Sequence, residues 1–297
     1  MDSENTTMKR LPITFYHTWL PLSPEERYRD MCEFAAGGGS IAVNVFLLQM
    51  LDADYRLIDE LRSQADRAGV KFVDAHAPFH AYSDIFNPVE RERRLTVARQ
   101  KLHLAFVRDL GVGNCTFHIG SDPISGYALD QHREALYRSL DELLPEAEKT
   151  GVVICLENLF RPLSSVDDLF AALDHYKSPY LGLCLDVGHA HMKEVGKNYP
   201  DSQVRKAWHD VGLEVPWEEH IAERMAPYII TCHVHDNRGF HDDHDLPGRG
   251  TVDWKRIVPL LLNAPKLRSI HAEVEAVQHG VPISELCATL RRLFYGN

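Results

Sequence analysis

Short runs of apolar, β-branched residues alternate along the chain with longer segments in which apolar residues recur at helical spacing. The runs that predict strands are Leu11–His17, Ile41–Leu48, Lys71–His76, Asn114–Ile119, Val152–Asn158, Leu181–Val187, Ile229–Asp236 and Leu267–Val274. The segments that predict helices include one that opens at Ser23, followed by Asp52–Ala68, Arg91–Leu110, Leu129–Thr150, Val166–Tyr176, Trp254–Leu262 and Ile283–Phe294. The pattern therefore predicts eight repeats of a strand followed by a helix.

This alternation indicates the fold class. Strands that alternate with helices imply right-handed crossovers and a parallel sheet, and eight such units are the number that closes a (β/α)8 barrel. The main alternative is an open doubly wound sheet, which would require a glycine-rich phosphate loop after an early strand. The run Gly37-Gly38-Gly39 instead follows a predicted helix. We expect residues 1–297 to form a single α/β domain, a (β/α)8 TIM barrel, with residues 1–10 as a flexible N-terminus.

Composition and charge serve mainly to exclude classes of protein and of binding partner. The 297 residues are 44% apolar and 25% charged, as in ordinary globular proteins. The formal net charge of −11 argues against nucleic acid as a partner, because proteins that bind phosphate backbones usually carry a basic surplus. The first ten residues lack the apolar core of a signal peptide, and no apolar run approaches the roughly 18 residues of a membrane span. With six cysteines spread widely, these features predict a cytoplasmic protein without a membrane partner.

Candidate chemistry lies at the predicted carboxyl ends of the strands, where a (β/α)8 barrel carries its active site. Six consecutive strands, the third to the eighth, end in histidine, aspartate or glutamate. Such groups at one barrel mouth would repel or remain unpaired unless a cation lies among them. Mixed histidine and carboxylate ligation suits zinc, manganese, cobalt or iron better than calcium, so a divalent metal site is expected. We expect Asp74 and Cys155, two residues before the ends of their strands, to fill the barrel interior.

The same residues carry a resemblance to a known family. The strings His76-Ala-Pro, Leu156-Glu157-Asn158, Asp186-Val-Gly-His189, His233-Val-His-Asp-Asn237 and Asp242-Asp-His244-Asp-Leu-Pro-Gly248-Arg-Gly250 resemble the xylose-isomerase-like TIM-barrel superfamily. This superfamily contains a sugar isomerase and epimerase group and, more distantly, endonuclease IV. The resemblance runs from about residue 70 to 275.

The epimerase branch implies a divalent-metal-dependent isomerase or epimerase of a small sugar or sugar derivative. One ion (manganese, cobalt, magnesium or zinc) would be held by Glu157, Asp186, His233 and Glu273. The reaction would remove a proton next to a carbonyl and form a metal-stabilised enediolate, with Glu157 and Glu273 as base and acid. Arg238 resembles the arginine that steadies substrate oxygens in this branch, although its spacing from His233 is one residue shorter than in the family pattern.

Two alternatives use the same residues. The endonuclease branch implies a zinc phosphodiesterase with three zinc ions, and its further ligands match His76, His118, His189, Asp242 and His244, with His235 as another candidate for metal or substrate. A dehydratase (lyase) acting on a cyclic polyol-ketone would begin with the same proton abstraction. A non-catalytic barrel would usually have lost ligands, and none of these is missing.

The expected partner is a small polyhydroxylated molecule, whose identity stays open together with homo-oligomer formation. The insertion at residues 193–219 is interpreted either as a lid or contact surface or as a surface helical excursion.

Overall fold

Eight parallel strands form a barrel in the computed structural model, which describes residues 10–16, 22–80 and 83–296. The strands are β1 (Ile13–Phe15), β2 (Ser40–Val43), β3 (Phe72–Ala75), β4 (Asn114–Phe117), β5 (Val153–Glu157), β6 (Leu181–Asp186), β7 (Ile229–Val234) and β8 (Ser269–Ala272). Their order in the sheet is β3-β2-β1-β8-β7-β6-β5-β4, and a parallel bridge between His76 and Thr116 joins the two ends. The predicted (β/α)8 barrel is confirmed. Apart from Arg10, the N-terminus predicted to be flexible lies outside the described residues.

Eleven α-helices surround this barrel in the described residues. They are α1 (Pro24–Ala36), α2 (Val45–Ala53), α3 (Leu57–Ala68), α4 (Glu90–Asp109), α5 (Leu129–Thr150), α6 (Val166–Tyr176), α7 (Val187–Val195), α8 (Gln203–His209), α9 (Ile221–Met225), α10 (Trp254–Leu262) and α11 (Ile283–Tyr295). The predicted bounds of α5, α6 and α10 are confirmed. Helix α1 begins as predicted, because the Ser23 side chain caps it and Glu26 completes a capping box.

The predicted second strand is wrong over its second half. Strand β2 ends at Val43, and the chain then enters α2, so that Asn44 to Leu48 are not in the sheet. Asn44 has an extended backbone, and its side chain accepts a hydrogen bond from the Leu47 amide, as an N-cap residue does. The apolar run belongs to two elements, because a short buried strand and a buried helix cannot be distinguished by periodicity alone.

Several other strands and helices also begin or end one or a few residues from their predicted bounds, and two of these differences have a clear local cause. The helix expected over Asp52–Ala68 is divided between α2 and α3, and Asp54 at the break accepts two hydrogen bonds from the Arg56 side chain, at 2.7 and 2.8 Å. The strand expected to run to Val187 ends at Asp186. There the Asp186 carboxylate caps α7 by accepting the His189 amide at 2.6 Å.

The inside of the barrel contains a buried polar layer around Asp74. This carboxyl accepts hydrogen bonds from Asn114 at 2.6 Å, from Ser269 at 2.7 Å and from the hydroxyl of Thr231. Cys155 lies in a buried cluster with Val153, Cys184 and Ile230. Both residues are buried inside the structure as predicted, and they form part of the floor below the mouth of the barrel.

Candidate metal centre

A cavity of about 590 Å³ opens above this floor. The described residues that line it come from the carboxyl ends of the strands and from the loops and helices that follow them. They are Val45, Phe46, Gln49, Phe79, His80, His118, Ser121, Asp122, Glu157, Leu159, Phe160, Arg161, His189, Gln203, Asp242, His244, Glu273 and Glu275. Its volume lies within the range of about 300–1,000 Å³ that is usual for small-molecule sites.

The deepest part of the site is a buried cluster of four side chains: Glu157, Asp186, His233 and Glu273. Strands β5 and β6 end at Glu157 and Asp186, and Asp186 lies beside His233 in the register of β6 and β7. His233 Nδ1 lies 3.0 Å from Glu157 Oε1 and 2.9 Å from Glu273 Oε2. One oxygen or nitrogen from each residue falls within 4.8 Å of all the others, a spacing at which one ion could contact all four.

A second cluster shares the Glu157 carboxylate. His76 Nε2 lies 3.3 Å and His118 Nε2 lies 3.0 Å from Glu157 Oε2. Strands β3 and β4 lead into these two histidines, and their ring centroids are 5.0 Å apart. The two imidazoles and one carboxylate oxygen could therefore hold a second cation.

A third cluster lies between α7 and the loop that follows β7. His189 Nε2 and His244 Nε2 lie 3.0 and 3.3 Å from Asp242 Oδ2. The His235 ring stacks on His244 with a centroid distance of 3.9 Å, and its Nε2 lies 3.1 Å from Asp186 Oδ2. His235 therefore lies between the third cluster and the deepest one.

Hydrogen bonds to backbone carbonyls fix the tautomers of three of these histidines. The Nδ1 atoms of His76, His189 and His244 lie 2.8–3.0 Å from the carbonyl oxygens of Ala77, Asn158 and Glu273, respectively. Because a carbonyl oxygen only accepts, each Nδ1 must carry a proton, which leaves Nε2 facing the carboxylates. This arrangement is typical of histidines that bind a metal through Nε2.

The buried carboxylates of the site favour the binding of a cation. Burial alone would raise the pKa of the Glu157 carboxyl, but the His233 imidazole above all holds that pKa well below its usual value. Burial alone would lower the pKa of His189, whereas Asp186 and Asp242 raise it to about 10. Without another cation, the buried carboxylates therefore depend on protonated imidazoles. A divalent metal could replace those protons, so these residues fit such an ion.

Buried atoms without a hydrogen-bond partner support the same fit. Among the residues that the structure describes, His76 Nε2 and Glu157 Oε2 are buried, 3.3 Å apart, and neither makes a hydrogen bond of good geometry. Asp242 Oδ1 and His235 Nδ1 are also buried and have no hydrogen-bond partner among the described residues. Unpaired buried polar atoms are costly, and those on Glu157, His76 and Asp242 become satisfied if the site holds metal.

Ten of the residues predicted from the sequence come together here as three connected clusters, because His235 lies close enough to His189, Asp242 and His244 to belong to the third. Arg238 does not: it is exposed, and its guanidinium donates to the Arg249 carbonyl at 2.9 Å. Arg238 does not belong to the described lining of the cavity, so a role for it in steadying substrate oxygens stays a prediction.

Sequence reasoning missed the apolar side of the cavity. Val45 and Phe46 belong to α2, which the apolar run had hidden, whereas Phe79 and Phe160 follow β3 and β5. The two strings His76-Ala-Pro-Phe79 and Glu157-Asn-Leu-Phe160 each place a phenylalanine three residues after a metal-site residue. That spacing was the signal available in the sequence.

The insertion at residues 193–219 packs against one wall of the cavity. Within it, Trp208 of α8 is buried and donates through Nε1 to the Phe160 carbonyl at 2.8 Å. Gln203 lines the cavity and accepts the Asp242 amide at 2.9 Å. Helix α8 thus supports the loop that carries the third cluster. In the described part of the chain, none of the helices is both long enough and apolar enough to cross a bilayer.

Comparisons with known proteins find sequences similar to this chain. A family model for the xylose isomerase-like TIM barrel matches residues 33–292. An uncharacterised protein of Methanocaldococcus jannaschii is 30% identical over 215 residues, 69% of this chain and 64% of that protein. An uncharacterised protein of Sinorhizobium fredii is 27% identical over 173 residues, 57% of this chain and 48% of that protein. The matches thus span about half to two thirds of the length of these relatives.

Solved structures share the fold at low sequence identity. D-psicose 3-epimerase of Clostridium cellulolyticum H10, solved with D-tagatose, has a TM-score of 0.70 and 16% identity, over 96% of this chain and 99% of that one. A 3-keto-D-glucoside 4-epimerase from E. coli gives 0.66 and 17%, over 96% and 99%. The IOLI protein with a bound zinc atom gives 0.66 and 18%, over 96% of each chain.

Proposed function

Because the chain belongs to the xylose isomerase-like TIM barrel family, we propose that it is a divalent-metal-dependent isomerase or epimerase of a small sugar or sugar derivative. The observation that carries this proposal is the buried cluster of Glu157, Asp186, His233 and Glu273 at the bottom of the cavity. The structural neighbours that act on sugars, D-psicose 3-epimerase and 3-keto-D-glucoside 4-epimerase, support it.

The two glutamates are proposed as the catalytic pair. Their carboxylates contact His233 Nδ1 at 3.0 and 2.9 Å, and both line the cavity. Each would thus reach a sugar bound above the cluster, where one takes the proton next to the carbonyl and the other returns it. When bound, a divalent ion would act as a Lewis acid on the carbonyl oxygen. Asp186 and His233 would complete the set of residues that hold this ion.

The test is proton exchange between substrate and solvent. We expect Glu157→Gln and Glu273→Gln each to lower the incorporation of deuterium from D2O into a ketose by at least about 100-fold, the usual contribution of a positioned acid or base. Glu275→Gln is the matched control, because Glu275 lines the same cavity but lies outside the metal clusters. Retained exchange in either of the two variants would contradict the two-carboxylate scheme.

A second candidate is a zinc phosphodiesterase related to endonuclease IV. It is favoured by one observation: all nine residues that the resemblance assigns to three zinc ions lie in three connected clusters. Against it, Arg161 is the one lysine or arginine among the described residues that line the cavity, and the net charge is −11. Phosphate backbones require more cations than this.

Metal content separates these candidates. We expect about one removable equivalent of manganese, cobalt, magnesium or zinc per chain for the isomerase. Two or three tightly held zinc ions, together with nicking of a duplex that contains an abasic site, would instead establish the phosphodiesterase. A dehydratase would be recognised by loss of water from a cyclic polyol-ketone, since it shares the proton abstraction and differs in the product.

We also propose that the protein works in the cytoplasm. All six cysteines are free thiols, and five of them are buried, which suits a reducing compartment. Subcellular fractionation of the producing organism tests this proposal.

A further inference from the structure

The cavity is larger than one sugar ring. A hexose has about twelve non-hydrogen atoms, and if each takes no more than the roughly 30 Å³ that a water molecule occupies in the liquid, the ring fills at most about 360 Å³. The cavity holds about 590 Å³. At least a third of it therefore lies beyond a sugar placed on the metal-binding residues.

The walls above the clusters are apolar and held in place. The Phe79 ring stacks on His118 with a centroid distance of 4.2 Å, and the Phe160 ring meets His189 edge-on at 5.4 Å. Phe46, on the first turn of α2, is half-buried and also lines the cavity. Phe46 and Phe79 are half-buried and leave apolar surface against water inside the cavity, whereas Phe160 is buried and completes the wall. Covering the exposed apolar surface with a ligand is favourable by about 25 cal/mol per Å².

Among the residues that the structure describes, the rim offers no free lysine or arginine to an anionic group. Arg161 lies over the Phe160 ring at 5.2 Å from its centroid, and its guanidinium is paired with the Asp122 carboxylate. Glu275 adds a further carboxylate to the lining. A phosphate or carboxylate on the substrate would therefore meet an ion pair that is already satisfied, and a like charge nearby.

We propose that the outer part of the cavity, lined by Phe46, Phe79 and Phe160, is a subsite for an uncharged apolar substituent on the sugar, such as the aglycone of a glycoside. This inference rests on the proposed function, because the sugar ring itself is assigned to the metal clusters. The ring hydroxyls face the polar floor, and the substituent lies between the aromatic walls below Arg161.

The test compares matched probes on the full-length, metal-loaded protein. Methyl and p-nitrophenyl glycosides of the same sugars (glucose, galactose and mannose), together with glucose 6-phosphate, are titrated calorimetrically. We expect the p-nitrophenyl glycoside of at least one sugar to bind about tenfold or more tightly than its methyl partner, because its ring buries the aromatic walls. Phe46→Ala should remove most of this difference, and Phe46→Leu should keep part of it.

Tyr55→Ala is the matched control, because it truncates an aromatic residue that is 68% exposed near the end of α2 but does not line the cavity. Equal affinities for both glycosides, or tighter binding of glucose 6-phosphate, would overturn the subsite. If a free ketose still exchanges protons with solvent, the proposed function survives that result. If no probe binds and no ketose exchanges, both inferences fall together.

Discussion

Gly188 leaves room for the His235 imidazole between the deepest and the third cluster, because glycine has no Cβ. A Cβ at this position would lie 2.0 Å from Cε1 of the His235 imidazole, which itself lies 3.1 Å from Asp186 Oδ2 and stacks on His244. The His235 ring is fully buried, so it has no room to move away. Gly188 therefore sets the position of a ring that contacts both the deepest and the third cluster.

We predict that Gly188→Ala lowers the free energy of unfolding by about 1–3 kcal/mol, the usual cost of overpacking. It should also lower metal content per chain, because the displaced His235 no longer holds Asp186. Denaturant titration and elemental analysis measure the two effects. Gly113→Ala is the control, since a Cβ there meets nothing within 4 Å, and its stability should change by no more than about 0.5 kcal/mol. Full metal content in Gly188→Ala would contradict the positioning role of His235.

Asp84 lies outside the three clusters and makes the stability of the folded protein depend on pH. Burial raises the pKa of this carboxyl to about 6, even though it accepts the Ser121 amide at 2.8 Å. The folded state thus holds a proton that the unfolded chain, with an ordinary aspartate pKa near 3.9, releases at lower pH. Stability contributed by the protonated form is complete below about pH 4 and is lost as the pH rises through 6, to a total of about 3 kcal/mol.

We predict that Asp84→Asn removes this loss. The amide keeps an oxygen for the Ser121 N–H but cannot ionise, so the variant should gain on the wild type steadily between pH 4 and pH 6. Unfolding free energies measured across that range give the difference curve. Parallel curves for the two proteins would show that Asp84 is already ionised in the folded state at pH 4.

At the residue scale, the clustering of histidines and carboxylates was predictable from the sequence, and the apolar walls of the cavity were not. Histidine and carboxylates at the ends of consecutive strands converge in any parallel barrel, whatever the loops do. Phe46 could not be assigned to the cavity because its position depends on whether residues 44–48 form strand or helix. The sequence pattern alone leaves that choice open.

At the scale of elements, Asn44 decides this choice. Its side chain caps α2 through the Leu47 amide at 3.0 Å, and the helix that follows turns Val45 and Phe46 toward the cavity. An apolar run with one asparagine in it therefore encodes a strand, a cap and a helix. Helices α5, α6 and α10 were predicted with correct bounds because each has a clear periodic pattern between polar or glycine-containing ends.

We predict that Asn44→Ala destabilises the protein by about 1 kcal/mol, the usual cost of losing a helix cap. It should also weaken binding of the p-nitrophenyl glycoside, because the first turn of α2 carries Phe46. Ser165→Ala removes a similar cap from α6, whose Asp168 amide bonds to the serine oxygen. This control should lose similar stability and keep its affinity for the glycoside. Equal loss of glycoside affinity in both variants would indicate a general effect of destabilisation.

At the scale of the whole molecule, the barrel joins both ends of the described chain. Strand β1 pairs with β8, the Tyr295 hydroxyl donates to the Leu11 carbonyl, and Arg291 donates to the Gly37 carbonyl at 3.2 Å. The repeat of strand and helix was sufficient to predict this closure, since the closed barrel is the common arrangement in which eight parallel units bury both faces of their sheet. We therefore expect residues 1–297 to unfold as one domain.

Metal removal should reveal how the central charges couple to the stability of this domain. In the metal-free protein, Asp186 and Asp242 raise the pKa of His189 to about 10 against the effect of burial. Burial also opposes protonation of His233, but Cys184 first, and then Glu273 and Glu157, raise its pKa well above the ordinary value. Stability from these protonated imidazoles is complete below about pH 6.5, and it is lost as the pH rises toward 10. A divalent ion held by these residues would take the place of the protons, and its affinity would increase with pH because the groups that hold it must be deprotonated.

We predict that calorimetry shows a single unfolding transition whose midpoint falls after chelation and recovers when zinc or manganese is restored. At a metal concentration of 100 times Kd, the gain is about 2.7 kcal/mol. The gap between metal-loaded and metal-free protein should widen from pH 6.5 to pH 8.5, since protons compete less for His189 and His233. If the difference in stability between metal-loaded and metal-free protein stays constant with pH, the metal binds without displacing these protons. If the two forms are equally stable, the proposal of a metal at this site is contradicted.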